Sequence, residues 1–75
     1  MSKLDDNILK SLRDYFMAAA ADMIFYPEGS LERIKAEHEA ANTSRTVSEL
    51  FGAGAANALR EEAAKRWPKL GGADG

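Results

Sequence analysis

Apolar residues recur every three or four positions along the first third of the chain, a spacing typical of one face of an α-helix. The residues at this spacing are Leu9, Leu12, Phe16, Ala19, Met23 and Tyr26, and Leu4, Ile8 and Tyr15 widen the face on one side. Asp5 and Asp6 suit the positive end of a helix dipole, and Pro27 disfavours helical backbone at the residue before it. The pattern predicts a first helix over about residues 4–25.

A second helix is predicted over about residues 30–42. Ser30 is a suitable N-cap for it. The residues expected on its inward face are Leu31, Ile34, His38 and Ala41. The sequence Asn42-Thr43-Ser44 is typical of a helix exit followed by a loop.

Two shorter helices are expected in the second half of the chain. Thr46-Val-Ser-Glu49 has the spacing of a capping box and predicts a helix over about residues 46–52. Gly52 and Gly54 favour a break, because each glycine costs about 1 kcal/mol relative to alanine inside a helix. The last helix is predicted over about residues 55–67 and is ended by Pro68. The residues expected to face inward from these two helices are Leu50, Phe51, Ala58, Leu59, Ala63 and Trp67.

No segment alternates apolar and polar residues with the period of a β-strand. The expected fold is therefore an all-α bundle of three to four helices with a long first helix. The helices would form a single domain over residues 1–70, followed by a flexible tail at residues 71–75.

The composition limits the kinds of protein to consider. A chain of 75 residues forms a small core that rarely supplies more than about 3–5 kcal/mol. It contains no cysteine, which excludes disulfides and thiolate metal sites and is compatible with a cytoplasmic location. Ten Lys and Arg residues against twelve Asp and Glu give no electrostatic footprint for nucleic acid. The apolar runs are too short for a membrane span, and Asp22 interrupts the longest one.

No residue pattern indicates catalysis, a cofactor or a metal site. His38 is the single histidine, and the Glu-x-x-His spacing of helical metal sites is missing because position 35 is lysine. We expect His38 at the edge of the core. Gly52-Ala-Gly lacks the preceding strand and the lysine of phosphate-binding loops. The sequence therefore indicates a protein that is not an enzyme and binds no cofactor.

The C-terminal end of the first helix is apolar almost all round. Met17, Ala20, Ala21 and Ile24 lie on a second face of this helix, and Phe25 lies beside it. A helix that is apolar all round is normally buried all round, yet the later helices hold few large apolar residues to cover it. We expect this face to contact another copy of the chain or a different protein. The alternative is that the later helices cover it within the monomer.

The expected function is that of a small protein–protein interaction module: a regulator, inhibitor or adaptor that occupies a surface of a larger protein. Self-association through the first helix is also expected, with a dimer as the favoured oligomer. The predicted interface residues are Arg13, Met17, Ala21, Asp22, Ile24, Phe25 and Tyr26.

The alternative function is DNA binding by a helix-turn-helix-like unit over residues 46–67. The residues that would contact nucleic acid are Arg45, Asn57, Arg60, Lys65 and Arg66. Glu61 and Glu62 would lie in the recognition helix, which argues against this alternative because affinity for duplex DNA comes largely from neutralised phosphates.

Overall fold

The computed structural model describes residues 3–71, which form three α-helices and a short 3-10 helix. The α-helices are α1, Lys3–Phe25; α2, Leu31–Phe51; and α3, Ala53–Arg66; the 3-10 helix is Pro68–Gly71. No strand occurs among the described residues, so the all-α prediction is confirmed. Gly71 ends the 3-10 helix, and the rest of the predicted C-terminal tail lies outside the described residues.

The first helix and the turn that follows it agree with the sequence prediction. α1 ends at Phe25, two residues before Pro27. Ser30 caps α2 as predicted, since its Oγ accepts a hydrogen bond from the backbone N–H of Arg33 at 3.2 Å. The Ser30 hydroxyl also donates to the carbonyl of Pro27 at 2.7 Å, and Gly29 has a positive φ of 86°. These bonds fix the turn between α1 and α2.

The predicted loop at residues 42–44 is wrong, because α2 continues through it to Phe51. Thr43 and Ser44 are buried, and Ser44 Oγ accepts a hydrogen bond from Arg60 Nη1 of α3 at 2.5 Å. Thr46 does not cap a helix: its hydroxyl donates to the carbonyl of Asn42, one turn earlier, at 3.0 Å. Packing against α3 therefore keeps helical a segment whose residues favour turns in isolation.

The predicted break at the glycines is confirmed but is only one residue long. Gly52 has a φ of 95° and separates α2 from α3, whereas Gly54 lies inside α3. The Gly52 N–H still donates to the carbonyl of Ser48 at 2.9 Å. The two helices predicted over residues 46–52 and 55–67 are thus the end of α2 and the whole of α3.

α2 is the central helix. It packs against both α1 and α3, while α1 and α3 meet each other over a much smaller area. The molecule measures 39 × 24 × 16 Å, so the three helices form a flat arrangement. Its radius of gyration is 12.6 Å, against roughly 11 Å for a compact domain of this length.

The core consists mainly of alanine. In the part of the chain that the structure describes, ten apolar residues are buried, and six of these are alanines. The others are Phe16, Met17, Val47 and Leu59. Small side chains let the three helices approach closely but supply little buried apolar area.

The buried faces of α1 and α2 differ from the predicted ones. On α1, the buried face is rotated toward Met17, which is 6% exposed, and Leu4, Ile8 and Tyr15 on the other side are exposed. On α2, the face predicted to point inward is exposed throughout; it consists of Leu31, Ile34, His38 and Ala41. The residues that α2 buries are Ala36, Ala40, Thr43, Ser44 and Val47. Close packing against two helices favours this small-residue face over the larger apolar one.

In α3 and the end of α2 the agreement is partial. Leu59 and Ala63 are buried as predicted, and Phe51 and Trp67 are half-buried. Leu50 and Ala58 are exposed, contrary to the prediction. Within residues 3–71, no helix has the length and apolar character needed to cross a bilayer.

Candidate protein interaction surfaces

Large apolar side chains lie on the surface in unusual number for so small a chain. Within residues 3–70, eight are exposed: Leu4, Ile8, Tyr15, Ile24, Phe25, Leu31, Ile34 and Leu50. Single exposed apolar residues need no explanation, but contiguous groups of them mark contact sites.

Three of these exposed residues and the half-buried Tyr26 lie at the turn between α1 and α2. We call them the hairpin-tip surface: Ile24, Phe25, Tyr26 and Leu31. Phe25 is 78% exposed and Leu31 is 76% exposed. The rings of Phe25 and Tyr26 make an edge-to-face contact with their centroids 5.0 Å apart. Since Ser30 fixes the turn, these side chains project from a defined backbone.

The charges around the hairpin-tip surface are acidic. Asp22, Glu28 and Glu32 are all exposed, and no lysine or arginine occurs between Asp22 and Glu32. The next base along the chain, Arg33, lies with its Nε 3.6 Å from Glu37 Oε2. An apolar centre with an acidic border is thus present at one end of the molecule.

The structure separates the predicted interface residues into two groups. Asp22, Ile24, Phe25 and Tyr26 lie at or beside the hairpin tip. Met17 is buried in the core of the chain itself, and Ala21 is half-buried, so the second face of α1 is largely covered within the monomer. Arg13 is exposed and forms an ion pair with Glu62 of α3, to which its Nε also donates at 3.3 Å.

Leu31 is a member of the hairpin-tip surface that the sequence analysis placed in the core. It directly follows the capping residue Ser30. A side chain in the first turn of a helix that leaves a tight hairpin often lies beyond the packed part of the helix. The position of Leu31 directly after the capping residue was therefore the feature of the sequence from which its exposure could have been predicted.

Most residues of the DNA-binding alternative are engaged in contacts within the chain. Arg45 donates to Asn42 Oδ1 at 2.9 Å within α2. Arg60 bonds to Ser44 and to Asn57, so it links α3 to α2. Arg66 lies over the Trp67 ring at 5.4 Å, and Lys65 is exposed. Gly52 alone separates α2 from α3, whereas the turn of a helix-turn-helix unit has about three to four residues.

Residues suited to chemistry are scattered. His38 is exposed on α2, so its predicted position at the core edge is wrong. Among residues 3–71 there is no group of three or more His, Cys, Asp and Glu side chains placed to hold a metal ion.

An open groove of about 790 Å³ runs between α1, α2 and α3, with mostly small residues such as Ala20, Ala41 and Ala64 in its walls.

Comparison of the chain with protein-family models, with curated proteins and with solved structures gives no match. The function is therefore inferred from the exposed surfaces and their charges.

Proposed function

We propose that the protein is a small helical interaction module that binds a larger protein through the hairpin-tip surface. The observation that carries this proposal is the exposure of Phe25 and Leu31, 78% and 76%, on either side of a turn fixed by Ser30. Burying one such side chain contributes about 1.5–3 kcal/mol. Aromatic residues also dominate the energetics of protein interfaces.

The acidic border indicates the chemistry of the partner. Asp22, Glu28 and Glu32 surround an apolar centre, so the complementary surface is an apolar pocket bordered by lysine or arginine. Opposite charges at the rim of an interface raise the association rate and select the partner more than they raise affinity. We thus expect an association that weakens with added salt.

The module would act by occupying a surface of its partner, as a regulator, inhibitor or adaptor in the cytoplasm, and would perform no chemistry of its own. DNA binding is not carried further, because its premise was the helix-turn-helix outline.

The experiment is affinity capture from native cell extract with the tagged chain and two variants. Phe25→Asp places a charge at the centre of the hairpin-tip surface, and Leu4→Asp is the matched control at an exposed position near the start of α1. We expect one protein in stoichiometric amount with the wild type and with Leu4→Asp, and its loss with Phe25→Asp. A nuclease-treated sample accompanies each capture.

Two outcomes would overturn the proposed function. One is capture that is equally strong with Phe25→Asp, which would place the contact elsewhere. The other is recovery of nucleic acid, or of proteins that disappear after nuclease treatment.

A further inference from the structure

The open groove between α1, α2 and α3 is separate from the hairpin-tip surface, none of whose four residues lines it. Its volume of about 790 Å³ lies within the range of roughly 300–1,000 Å³ that is usual for sites of small molecules. The floor of the groove is apolar and consists of side chains that belong to the core: Phe16, Ala20, Ala40 and Ala63. The groove is thus large enough to hold a small molecule with an apolar body.

Polar groups lie together at the end of the groove beside the second half of α2. Ser44, Arg45 and Ser48 line this end within about one helical turn. Arg60 reaches the same end from α3, because its Nη1 donates to Ser44 Oγ at 2.5 Å. Two guanidinium groups and two hydroxyl groups therefore lie at one end of the groove, which we call the basic end.

Within residues 3–71, neither guanidinium of the basic end forms an ion pair. Arg45 and Arg60 donate only to uncharged side chains, those of Asn42, Ser44 and Asn57. A guanidinium has five N–H donors, so each arginine keeps donors for a further acceptor. Carboxylates match guanidinium geometry best, often through two parallel hydrogen bonds.

The opposite end of the groove is apolar. A short turn joins α1 to α2 and the two helices pack together, so they are antiparallel, and Met23 of α1 lines the groove beside the first half of α2. α3 runs back along α2, and Leu70, which follows its C-terminal end, lines the groove there as well. The part of α2 that lines the groove, from Glu37 to Ser48, is about 16 Å long.

Two carboxylates also line the groove, those of Glu37 and Glu61, and both residues are exposed. Glu37 lies about two turns before Arg45, and its Oε2 is 3.6 Å from Arg33 Nε. Glu61 directly follows Arg60, and adjacent residues on a helix do not face each other. The basic end is therefore open to an anion from outside the chain, and Glu61 is the charge that opposes its binding.

We propose that the groove binds a fatty acid, with the carboxylate between Arg45 and Arg60 and the hydrocarbon chain over the apolar floor toward Met23 and Leu70. The guanidinium groups select the carboxylate, and the length and apolar character of the groove select the hydrocarbon chain. This inference does not depend on the proposed function, because the groove and the hairpin-tip surface share no residue.

The first test compares two ligands with the same hydrocarbon chain by isothermal titration calorimetry, below their micelle concentrations. We expect one decanoate molecule per chain, with a dissociation constant of about 100 μM or lower. Decyltrimethylammonium carries a cationic group in place of the carboxylate and should bind at least about tenfold more weakly. Absence of decanoate binding, or equal affinity for the two ligands, would overturn the proposal.

The second test changes the charges at the basic end. Arg45→Gln is expected to weaken decanoate binding about tenfold, whereas Glu61→Gln should strengthen it about twofold. Lys65→Gln, which removes one positive charge at an exposed position of α3 outside the groove, is the control and should have no effect. Equal affinities of the wild type and Arg45→Gln, or equal losses with Arg45→Gln and Lys65→Gln, would contradict the placement of the carboxylate.

The third test fills the groove. Ala41 lies exposed in its wall, so Ala41→Leu is expected to weaken decanoate binding about tenfold or more by occupying the path of the hydrocarbon chain. Ala58→Leu, the same substitution at an exposed position of α3 outside the groove, should leave the affinity unchanged. Circular dichroism of each variant verifies that the helices are intact.

Phe25→Asp separates this inference from the proposed function. The variant is expected to bind decanoate with the affinity of the wild type, whether or not it still captures a protein partner. A loss of decanoate binding with Phe25→Asp, or unchanged binding with Ala41→Leu, would show that the ligand lies outside the groove and would refute the proposed site.

Discussion

At the scale of single residues, Val47 contributes more to the stability of the core than the size of its side chain suggests. It is the largest side chain that the core encloses completely, with 0% exposure. Most of the other buried residues of the core cluster are alanines, whose short side chains cannot fill the space left by a lost methyl group. Removal of apolar atoms at this position is thus expected to leave a cavity between α2 and the helices that it packs against.

We expect Val47→Ala to lower the free energy of unfolding by about 2 kcal/mol, the transfer of two methyl groups plus the cavity. This is a large part of the roughly 3–5 kcal/mol that a core of this size supplies. Urea unfolding followed by circular dichroism measures the effect. Leu50→Ala is the matched control on the same helix, since Leu50 is 61% exposed, and its effect should stay within about 0.5 kcal/mol. Equal losses in the two variants would mean that Val47 is not enclosed as described.

At the scale of elements, the single-residue joint at Gly52 sets the direction of α3 relative to α2. Its φ of 95° lies in a region that side chains with a Cβ rarely adopt. Gly54 lies only two residues away, but it has ordinary helical backbone and empty space around its missing Cβ. The two glycines are therefore expected to respond in opposite ways to the same substitution.

Gly52→Ala should destabilise the protein by about 1–2 kcal/mol, because alanine is strained at a positive φ. Gly54→Ala should stabilise it by about 0.5–1 kcal/mol, because alanine is the better residue inside a helix. Thermal unfolding of the two variants and the wild type measures both changes. If both substitutions shifted the midpoint in the same direction, the joint would not be at Gly52.

The end of α1 and the start of α2 could be predicted from the sequence, because the residues that determine them lie at those positions. Pro27 and Ser30 fix the end of α1 and the start of α2 through backbone geometry and one hydroxyl group. The continuity of α2 could not be predicted, because Ser44 is kept helical and buried by Arg60, a residue of another helix. The prediction of the buried faces was wrong for a similar reason. An alanine-rich core lets the helices approach one another closely, and the larger apolar residues are left on the surface.

The same reasoning explains where the structure places the predicted interface residues. Phe25 and Tyr26 could be selected from the sequence because they end an apolar helix beside a turn. Met17 could not be assigned, since its burial depends on how far α1 rotates against α2.

At the scale of the whole molecule, the flat arrangement leaves α2 open along the side away from α1 and α3. An arrangement only 16 Å thick encloses little apolar volume. A second layer contributed by another copy would add to stability through mass action, since only the folded chain can bind it.

We expect the thermal midpoint to rise with protein concentration, by about 5 °C between roughly 10 μM and 1 mM. Differential scanning calorimetry over this range measures the shift. A midpoint independent of concentration in the wild-type protein would contradict association in the folded state.

The central position of α2 has a consequence for the rate of folding. Both of its packing partners are its neighbours in the sequence, joined by a five-residue turn on one side and by Gly52 on the other. Most contacts are thus made between segments close along the chain, and proteins with such local contacts fold within microseconds to milliseconds. Ser30 fixes the turn between α1 and α2 without a contribution from α3, so the part of the hairpin beside this turn can form first. Docking of α3, with the hydrogen bond from Arg60 to Ser44, then completes the end of α2.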